Sequence, residues 1–457
     1  MKRSDERLPL FGTNGIRGEP NADLTPDFAM QIGKSIGTYF KDGTIAMGRD
    51  TRDTGPMIFN AVSSGIMSAG KEILDLGILP TPAIQYYCKI NRIPGVVITA
   101  SHNPPRFNGI KCIAADGTEL PRNQEEVIEG IYYDRTFIQA TWNNCGRVRI
   151  ITDAVERYLA GVMQQVNAEA IRTQEFRVAF DAGNGASYSS TPELLRRLGC
   201  SVVTLNANPD GKFTSRNSEP KPENLKDLIN VVSGGKFDLG IAHDGDADRA
   251  VFIDSTGHFV DGDITLSLIV KSTIKPGDRV VTPISSSDAM DEICATGGAE
   301  LIRTRVGAPL VSRTMIEKKA KIGGEENGGI IYGPHQYCRD GAMTAALVLN
   351  LMAARKSGLK ELISEIPEYH IHKLSADRKV EWEIIKRGIL GYASGMKTDT
   401  SDGIKVFLKD GWVLVRPSGT EPIIRIYGES RTLARARDIA QEYQALIDGI
   451  QEGANAL

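Results

Sequence analysis

The stretch "TIAMGRDTRDTGPMIFNAVSSGIMSAGKEILDLG" (44–77) shows the pattern that decides the fold. An apolar strand leads through a loop rich in Thr and Gly into a helix, and the chain returns after a glycine to a second strand. The same order recurs in "RVAFDAGNGASYSSTPELLRRLGCSVVTLN" (177–206) and "RVVTPISSSDAMDEICATGGAELIRT" (279–304). Strands that alternate with helices of this length predict parallel βαβ units covered on both faces. The sequence therefore predicts three α/β domains, in which these units are parts of mixed sheets.

The last part of the chain changes character. "IKVFLKDGWVLVRPSG" (404–419) places Asp410-Gly411 between two alternating strands, which predicts a hairpin with a two-residue turn. The next segment has apolar residues three and four apart, as on one helix face: Leu433, Ala436, Ala440, Tyr443, Ile447 and Ile450. This predicts a C-terminal α+β domain, with the polar stretch 367–379 as its linker or, alternatively, an edge strand. The predicted domains are 1–150, 151–256, 257–367 and 368–457.

Composition limits the kinds of partner. The 457 residues contain 54 Lys and Arg against 57 Asp and Glu, so no general basic surface for nucleic acid or acidic membranes is expected. Six cysteines without a C-x-x-C pair are typical of buried thiols in a reducing compartment. The charged N-terminus is unlike a signal peptide, and the apolar segment 341–354 is shorter than the roughly 20 residues that span a bilayer. We expect a cytoplasmic protein.

Three aspartates stand at every second position in "DGDADR" (244–249), between the apolar runs "LGIA" and "AVFI". After a strand end, Asp244, Asp246 and Asp248 can turn their carboxylates toward one point, and such oxygen ligands suit Mg²⁺. An EF-hand is excluded, because that loop needs glycine and glutamate where Arg249 and Ser255 stand. A solvated acidic turn is the alternative, and the apolar flanks disfavour it.

A second loop, "TASHNP" (99–104), places Ser101 after an apolar strand, where α/β folds carry reactive groups. The G-x-S-x-G elbow is absent, which disfavours a serine triad. Adjacent residues of an extended chain face opposite ways, so His102 is not expected to serve as a base for Ser101. By itself the motif is also compatible with a capped turn.

Further loops carry groups that recognise phosphates and sugars. Glu325 and Asn327 lie between glycine pairs in "GGEENGG" (323–329) and suit the vicinal hydroxyls of a sugar, although a tight acidic turn is an alternative. Arg17 lies on the glycine-rich "GTNGIRG" (12–18), where a purely structural arginine is the alternative. No Walker sequence occurs, so nucleoside triphosphates are not expected. The stretch 415–425 offers guanidinium groups, hydroxyls and backbone N–H groups for a phosphate: Arg416, Ser418, Gly419, Thr420 and Arg425.

In this order, "GTNGIRG", "TASHNP", "DGDADR", "GEENGG" and "RPSGTEP" together resemble the motifs of the α-D-phosphohexomutase superfamily, and the resemblance extends from about residue 10 to 450. It implies four domains around a central cleft and a phosphoserine at Ser101. It also implies Mg²⁺ held by Asp244, Asp246, Asp248 and the serine phosphate. Glu325 and Asn327 would select the sugar, and the loop 416–425 would hold the phosphate that is not reacting.

The resemblance also implies which residues surround the reacting phosphate. Arg17 and Lys111 match basic residues near the reacting phosphate that are candidates for proton transfer. Arg249 adjoins the three aspartates, and His102 is the neighbour of Ser101 in sequence. Many bacterial members have a histidine at the position of Gly329, so the chain departs from them there; His335 is nearby in sequence.

The implied activity interconverts hexose or hexosamine 6-phosphates and 1-phosphates through a sugar 1,6-bisphosphate, with a small sugar phosphate as partner. The chain is most similar to archaeal phosphoglucosamine mutases and phosphomannomutase/phosphoglucomutases, and glucosamine phosphate is slightly favoured. A haloacid-dehalogenase-type phosphatase with Asp244 as nucleophile expects Thr or Val at Asp248 and leaves "TASHNP" unexplained. A non-catalytic sugar-phosphate sensor would not need every expected group. The sequence leaves open whether the chain forms a homo-oligomer.

Overall fold

The computed structural model describes residues 8–12, 14–418 and 422–455. Four sheets follow one another along the chain, three in α/β domains and the last in an α+β domain. This is the predicted fold class. No helix in these residues combines the length and the apolar character needed to cross a membrane.

The first domain is built on a six-stranded sheet with strand order β1-β5-β4-β2-β3-β6. Strands β2 and β3 pair in parallel around helix α2, as the stretch 44–77 predicts, while β4 and β5 form an antiparallel hairpin. Its elements are β1 (Ile16–Gly18), α1 (Pro26–Tyr39), β2 (Thr44–Arg49), α2 (Gly55–Ser68), β3 (Glu72–Ile78), α3 (Thr81–Asn91), β4 (Gly95–Ile98), β5 (Asn108–Ile113), α4 (Arg122–Asp134) and β6 (Val148–Ile150).

The second domain repeats this plan on a five-stranded sheet of order β11-β10-β9-β7-β8. Strand β7 pairs in parallel with β8 and β9, and β9 and β10 form an antiparallel hairpin. Its elements are α5 (Ala154–Met163), α6 (Ala168–Arg172), β7 (Arg177–Asp181), α7 (Ser190–Arg197), β8 (Ser201–Leu205), a 3₁₀ turn (Pro222–Asn224), α8 (Lys226–Gly234), β9 (Leu239–His243), β10 (Ala250–Asp254) and β11 (Phe259–Val260).

The third domain has a four-stranded sheet of order β13-β12-β14-β15, again with a parallel part and one antiparallel hairpin, β14–β15. The second sheet extends past residue 256, because β11 pairs with β10, so we propose a domain limit after Val260. The third domain's elements are α9 (Gly262–Thr273), β12 (Arg279–Pro283), α10 (Ala289–Gly297), β13 (Glu300–Thr304), α11 (Ala308–Lys318), β14 (Ile322–Gly324), β15 (Ile330–Tyr332), α12 (Gly341–Arg355) and α13 (Leu359–Ile363).

The fourth domain has a wholly antiparallel sheet of order β16-β20-β19-β18-β17, packed against α14 and α15. Its elements are β16 (His370–Asp377), α14 (Trp382–Tyr392), β17 (Thr398–Asp399), β18 (Ile404–Leu408), β19 (Gly411–Pro417), β20 (Ile423–Ser430) and α15 (Leu433–Asn455). For the stretch 367–379, the linker prediction was wrong for most of its length, and the alternative prediction of an edge strand is confirmed, since 370–377 form the edge strand β16. Only one side of this strand is paired, so its sequence lacks the apolar character of a central strand.

Smaller predictions about this domain and the thiols also need correction. Leu408 pairs with Gly411, so the turn consists of Lys409 and Asp410. Gly411 is instead needed within the strand, where a Cβ would lie 1.9 Å from the carbonyl oxygen of Glu429. On α15, Leu433 is exposed although the other residues of the apolar face lie against the sheet. Cys145 is an exposed thiol, whereas the other five cysteines are buried as expected.

Candidate active site

Four of the five motifs lie on the loop of an antiparallel hairpin, whereas Arg17 of the fifth lies in strand β1. Ser101 follows β4, the three aspartates follow β9, and Glu325 and Asn327 follow β14. In the fourth domain, the predicted phosphate-binding motif lies between β19 and β20. Each domain therefore contributes one polar loop, and side-chain contacts join the loops of the first three domains.

The acidic loop has the geometry of a metal site. Asp244, Asp246 and Asp248 are buried, and one carboxylate oxygen from each lies within 4.8 Å of the others. Burial, followed by the neighbouring Asp248 and Asp246, raises the pKa of Asp244 well above its usual value. Oxygens Oδ1 of Asp246 and Asp248 have no hydrogen-bond partner among the described residues. A positive charge stabilises buried carboxylates whose oxygens have no hydrogen-bond partner. The loop therefore fits a hard divalent cation such as Mg²⁺.

Ser101 lies directly against this loop. Its Oγ donates a hydrogen bond to Oδ2 of Asp244 at 3.0 Å, across the first and second domains. The backbone of Ser101 is left-handed, with φ of 53°, which is uncommon for a residue with a side chain and is maintained only by its surroundings. The structure thus brings the predicted nucleophile and the predicted metal ligands into one buried site.

The surroundings of Ser101 include an arginine that the sequence interpretation missed. Arg52 is buried, forms an ion pair with Asp50 at 3.0 Å and donates hydrogen bonds to four carbonyl oxygens of the serine loop. Those acceptors belong to Ser101, Asn103, Pro104 and Phe107, at 2.7–2.8 Å. The available signal was a D-x-R sequence directly after β2. This single guanidinium fixes the path of the loop.

His102 does not follow the expectation that it would face away from Ser101. Its Nδ1 lies 3.5 Å from Oγ of Ser101, because the left-handed backbone at Ser101 abolishes the alternation of an extended chain. The same nitrogen accepts a hydrogen bond from Arg249 Nη2 at 3.0 Å. Burial, together with Arg249 and Arg17, lowers the pKa of His102 well below its usual value, so the ring is neutral.

Two basic residues border the acidic loop. Lys111 is buried, and its Nζ lies 3.2 Å from Asp246 Oδ2 and 3.8 Å from Glu119. Burial alone would lower the pKa of Lys111, but Asp246 and Glu119 raise it above the usual value. Burial likewise opposes ionisation of Asp246, yet Lys111 and the hydroxyl of Thr81 lower the pKa of its carboxyl.

Two arginines complete the surroundings of Ser101. Arg17 donates to Oδ1 of Asn103 at 3.0 Å, and burial lowers the pKa of its guanidinium. Arg249 Nε lies 3.9 Å from both Asp244 and Asp248. Both predicted arginines therefore reach the serine loop or the acidic loop.

A further arginine, Arg339, was not predicted. It joins the acidic loop to the predicted sugar-binding loop 323–329, called the sugar loop below. Its Nη1 donates to Oε2 of Glu325 at 2.7 Å, and its Nη2 forms a short ion pair with Oδ2 of Asp248. Glu325 also accepts a hydrogen bond from the backbone of Gly307, which begins the turn into α11. Asn327 is half-buried and its Oδ1 accepts from the backbone of Gly329.

The predicted phosphate loop is described only in part. Arg416 and Arg425 lie directly opposite each other on β19 and β20, which puts two guanidinium groups at one end of the hairpin. Arg416 Nε lies 3.5 Å from Asp402, and Ser418 N–H donates to the carbonyl of Ile423. Gly419 and Thr420 lie outside the described residues.

His335 lies in a different environment from the hairpin loops. Its ring stacks on Tyr86 at 4.7 Å between centroids and lies 3.5 Å from Oδ2 of Asp340, the residue that caps α12. These contacts hold it in the packing between α3 and the start of α12.

Comparisons with known proteins agree with this architecture. The phosphoglucomutase/phosphomannomutase family matches in all of its parts: α/β/α domain I at 8–139, domain II at 156–257, domain III at 261–369 and the C-terminal domain at 374–446. A phosphoglucomutase/phosphomannomutase of Thermococcus kodakarensis is 43% identical, over 94% of this chain and 96% of its own length. A phosphoglucosamine/phosphogalactosamine mutase of Sulfurisphaera tokodaii is 40% identical, over 96% and 99%.

Solved structures show the same fold. A phosphoglucomutase/phosphomannomutase family protein from Burkholderia thailandensis has a TM-score of 0.87 at 24% identity, over 97% of this chain and 98% of its own. An Aspergillus fumigatus N-acetylphosphoglucosamine mutase, in complex with GlcNAc-6P and magnesium, has a TM-score of 0.62 at 15% identity, over 97% and 96%. The fold and the hairpin loops define a four-domain α-D-phosphohexomutase. Within that superfamily of isomerases, the chain belongs to the phosphoglucomutase/phosphomannomutase family.

Proposed function

We propose that this phosphohexomutase interconverts the 6-phosphate and 1-phosphate of a hexosamine or hexose by lending and reclaiming a phosphoryl group at Ser101. The observation that carries the proposal is the 3.0 Å hydrogen bond between Ser101 Oγ and Asp244, which puts a hydroxyl against three converging carboxylates. A haloacid-dehalogenase-type phosphatase would use Asp244 itself and would have no need for the strained, Arg52-held serine.

Asp244, Asp246 and Asp248 would hold Mg²⁺ together with an oxygen of the phosphate on Ser101. When bound, the ion supplies a positive charge that offsets the charge of the phosphoryl oxygens. The Mg²⁺-bound A. fumigatus protein has the same fold, which supports the choice of metal.

In the forward half-reaction, the sugar hydroxyl attacks the phosphorus, the P–Oγ bond of the phosphoserine breaks, and a sugar 1,6-bisphosphate forms. The hydroxyl proton must leave the sugar, and the serine oxygen must end as a hydroxyl. Lys111 is our candidate for this proton exchange, while Arg17 and Arg249 stay charged and stabilise the phosphoryl oxygens. Neutral His102 holds Arg249 through Nδ1 and is better placed to orient than to transfer a proton.

In the second half-reaction, the bisphosphate turns and returns its other phosphate to Ser101. We propose that Glu325 and Asn327 bind the sugar hydroxyls in either orientation. The phosphate that is not reacting would lie on the fourth-domain loop, at Arg416, Ser418, Gly419, Thr420 and Arg425. A non-catalytic sensor would not need a serine held against metal ligands.

Glucosamine phosphate is the proposed substrate, with glucose and mannose phosphates as the alternative. The names of the archaeal relatives support both, since one is a phosphoglucosamine/phosphogalactosamine mutase and one a phosphoglucomutase/phosphomannomutase. We further propose that the enzyme is cytoplasmic and that its partners are small sugar phosphates, without nucleic acid or membrane. A homo-oligomer is an alternative for its state of association.

A coupled assay with the 1-phosphates and 6-phosphates of glucosamine, glucose and mannose tests the proposal. We expect turnover of at least one pair, Mg²⁺ dependence, and an intact mass that gains one phosphoryl group on incubation with the bisphosphate. Ser101→Ala should lose turnover and the mass gain, while Ser63→Ala, another buried serine of the same domain, should keep both. Wild-type turnover by Ser101→Ala would refute the covalent mechanism, and release of phosphate without isomerisation would favour the phosphatase alternative.

A further inference from the structure

Gly329 has no room for a side chain. A Cβ at this position would lie 2.2 Å from Cδ and 3.1 Å from Cγ of Arg339. The backbone of Gly329 is not in the left-handed region, so conformation does not demand glycine there. Glycine is required because the aliphatic stem of Arg339 (Cγ and Cδ) passes directly in front of the Cα of Gly329.

Arg339 is fixed at both ends and therefore cannot yield this space at low cost. Its backbone pairs with Ile331 in an isolated bridge next to β15. Its buried guanidinium bonds Asp248 of the metal loop with one nitrogen and Glu325 of the sugar loop with another. Moving the stem would deprive two buried carboxylates of their ion pairs with this guanidinium, which is expensive.

We propose that Arg339 is a positioning residue of the mutase site, in the space that a side chain at 329 would fill, and that it couples metal binding at Asp248 to the orientation of Glu325. The inference rests on the proposed function for its meaning, since it assumes a metal loop and a sugar loop that act together. An arginine retains its charge throughout, so proton exchange is left to groups of the first domain.

The physical basis is that two carboxylates share one guanidinium. If Mg²⁺ were bound at Asp248, the ion would offset part of the negative charge of this carboxylate and weaken its ion pair with Arg339. The guanidinium would then interact mainly with Glu325. Conversely, if Glu325 loses its charge, the guanidinium of Arg339 would interact with Asp248 alone. It would then compete more strongly with Mg²⁺ for that carboxylate. Binding at one loop must therefore alter the other loop, and such coupling is reciprocal.

The test measures Mg²⁺ affinity by calorimetric titration of the full chain without any sugar. Glu325→Gln should raise the Kd for Mg²⁺ about 5-fold or more when Arg339 is present, a typical size for coupling between sites. In an Arg339→Lys background, the same change should raise the Kd less than about 2-fold, because a lysine ammonium does not bridge two carboxylates in a fork. Glu326→Gln is the matched control: this neighbouring buried carboxylate faces Ser285 and Lys373, and its loss should leave the Kd unchanged.

An equal rise in both backgrounds, or an equal rise with Glu326→Gln, would overturn the inference, because either result means a general charge effect. No rise in the Arg339 background would overturn it as well. If Arg339→Lys does not fold, Gly329→Ala serves as the second background, since its Cβ displaces the arginine stem. Because no substrate is used, a failed mutase assay and a failed coupling remain separate outcomes.

Discussion

The two ends of the active site are held in different ways. At the transfer end, Ser101 and the three aspartates are almost completely inaccessible, with exposed fractions of 0–2%. At the sugar end, Asn327 and Arg416 are half-buried. The loops of the transfer end are braced from within their own domains. At the sugar end, Glu325 is likewise held within the third domain by Arg339, whereas the region around Arg416 is linked to the third domain through Asp402.

The braces of the transfer end follow one plan. In the first domain, Asp50 follows β2 and binds Arg52, which holds the carbonyl of Ser101. In the second domain, Asp181 ends β7 and binds Arg216, which donates to the carbonyl of His243 at 2.6 Å, just before the acidic loop. Both βαβ units thus fix their hairpin loops with a buried Asp–Arg pair, and such preorganisation is what charge stabilisation in a transition state requires.

The fourth-domain part of the sugar end, around Arg416, is linked to the third domain across a domain boundary. Asp402, in the fourth domain, accepts a hydrogen bond from the backbone of Val306 in the third at 2.8 Å. Lys405 donates to the carbonyl of Ile284, also in the third domain. Contacts of this kind could form and break if the fourth domain moves, which would suit the proposed release and rebinding of a turning bisphosphate. We therefore call the transfer end the rigid end, and the region around Arg416 and Asp402 the adjustable end.

The largest effect should come from the rigid end. Asp246→Asn removes a charge that accepts from Thr81 and Lys111 and leaves the metal site with two carboxylates. We expect kcat to fall about 10³-fold, as loss of several kcal/mol of charge stabilisation implies, and the Kd for Mg²⁺ to rise. Calorimetric Mg²⁺ titration and steady-state kinetics measure both. Asp254→Asn, at the far end of β10, is the control; an unchanged Mg²⁺ titration for Asp246→Asn would contradict the ligand assignment.

The next effect tests the brace. Arg52→Lys keeps the charge but cannot reach four carbonyls, so the serine loop should shift, and a displacement of about 1 Å costs on the order of 10²-fold in rate. We expect slower phosphorylation of Ser101, followed by intact mass. Arg49→Lys, at the end of the same strand β2, is the matched control. Equal rates for wild type and Arg52→Lys would mean that the loop does not need its brace.

The hairpin loops were open to prediction because their signals are local. Three aspartates at every second position after an apolar strand converge wherever that strand lies, and the βαβ pattern is likewise read within about 30 residues. Arg52 and Arg339 were missed because the contacts that give them their roles, from Arg52 to the serine loop and from Arg339 to Asp248, join residues 49 or more positions apart with no shared pattern. A lone arginine carries no periodicity, and its role appears only when the sheets bring loops together.

Two of the local errors have a similar origin. The orientation of His102 depended on a left-handed Ser101, which is imposed by Arg52 and Thr99 and not by the residue type. Strand β16 was interpreted as a linker because an edge strand with polar residues resembles a loop until its partner β20 is known. In both cases tertiary contacts overrode the local preference.

A smaller effect is expected at the adjustable end. Asp402→Asn weakens the attraction to Arg416 and the link to Val306, so closure of the fourth domain should be less favourable. We expect KM for the sugar phosphate to rise about 3-fold to 10-fold, in line with about 1 kcal/mol, while kcat changes little. Asp399→Asn is the control, since among the described residues the side chain of Asp399 accepts a hydrogen bond from the nearby backbone of Ser401 and makes no contact with the third domain. A fall in kcat without a change in KM would show that this contact belongs to the chemistry.

The smallest effect concerns pH and the boundary between the third and fourth domains. Lys405 is buried against Trp412, at 3.9 Å from the ring centroid, and burial, followed by Arg303, lowers its pKa to about 8. Because the folded pKa lies below the unfolded value, the charged lysine is penalised below pH 8, and the penalty is relieved as pH rises toward 10.5. From pH 7 to pH 9, the wild type should therefore gain about 1 kcal/mol of stability relative to Lys405→Met. Calorimetric melting at the two pH values measures this as a relative rise of about 2 °C in Tm. Parallel pH dependences of the two proteins would show that Lys405 does not titrate between pH 7 and pH 9. They would also show that a charged Lys405 does not destabilise the boundary between the third and fourth domains at neutral pH.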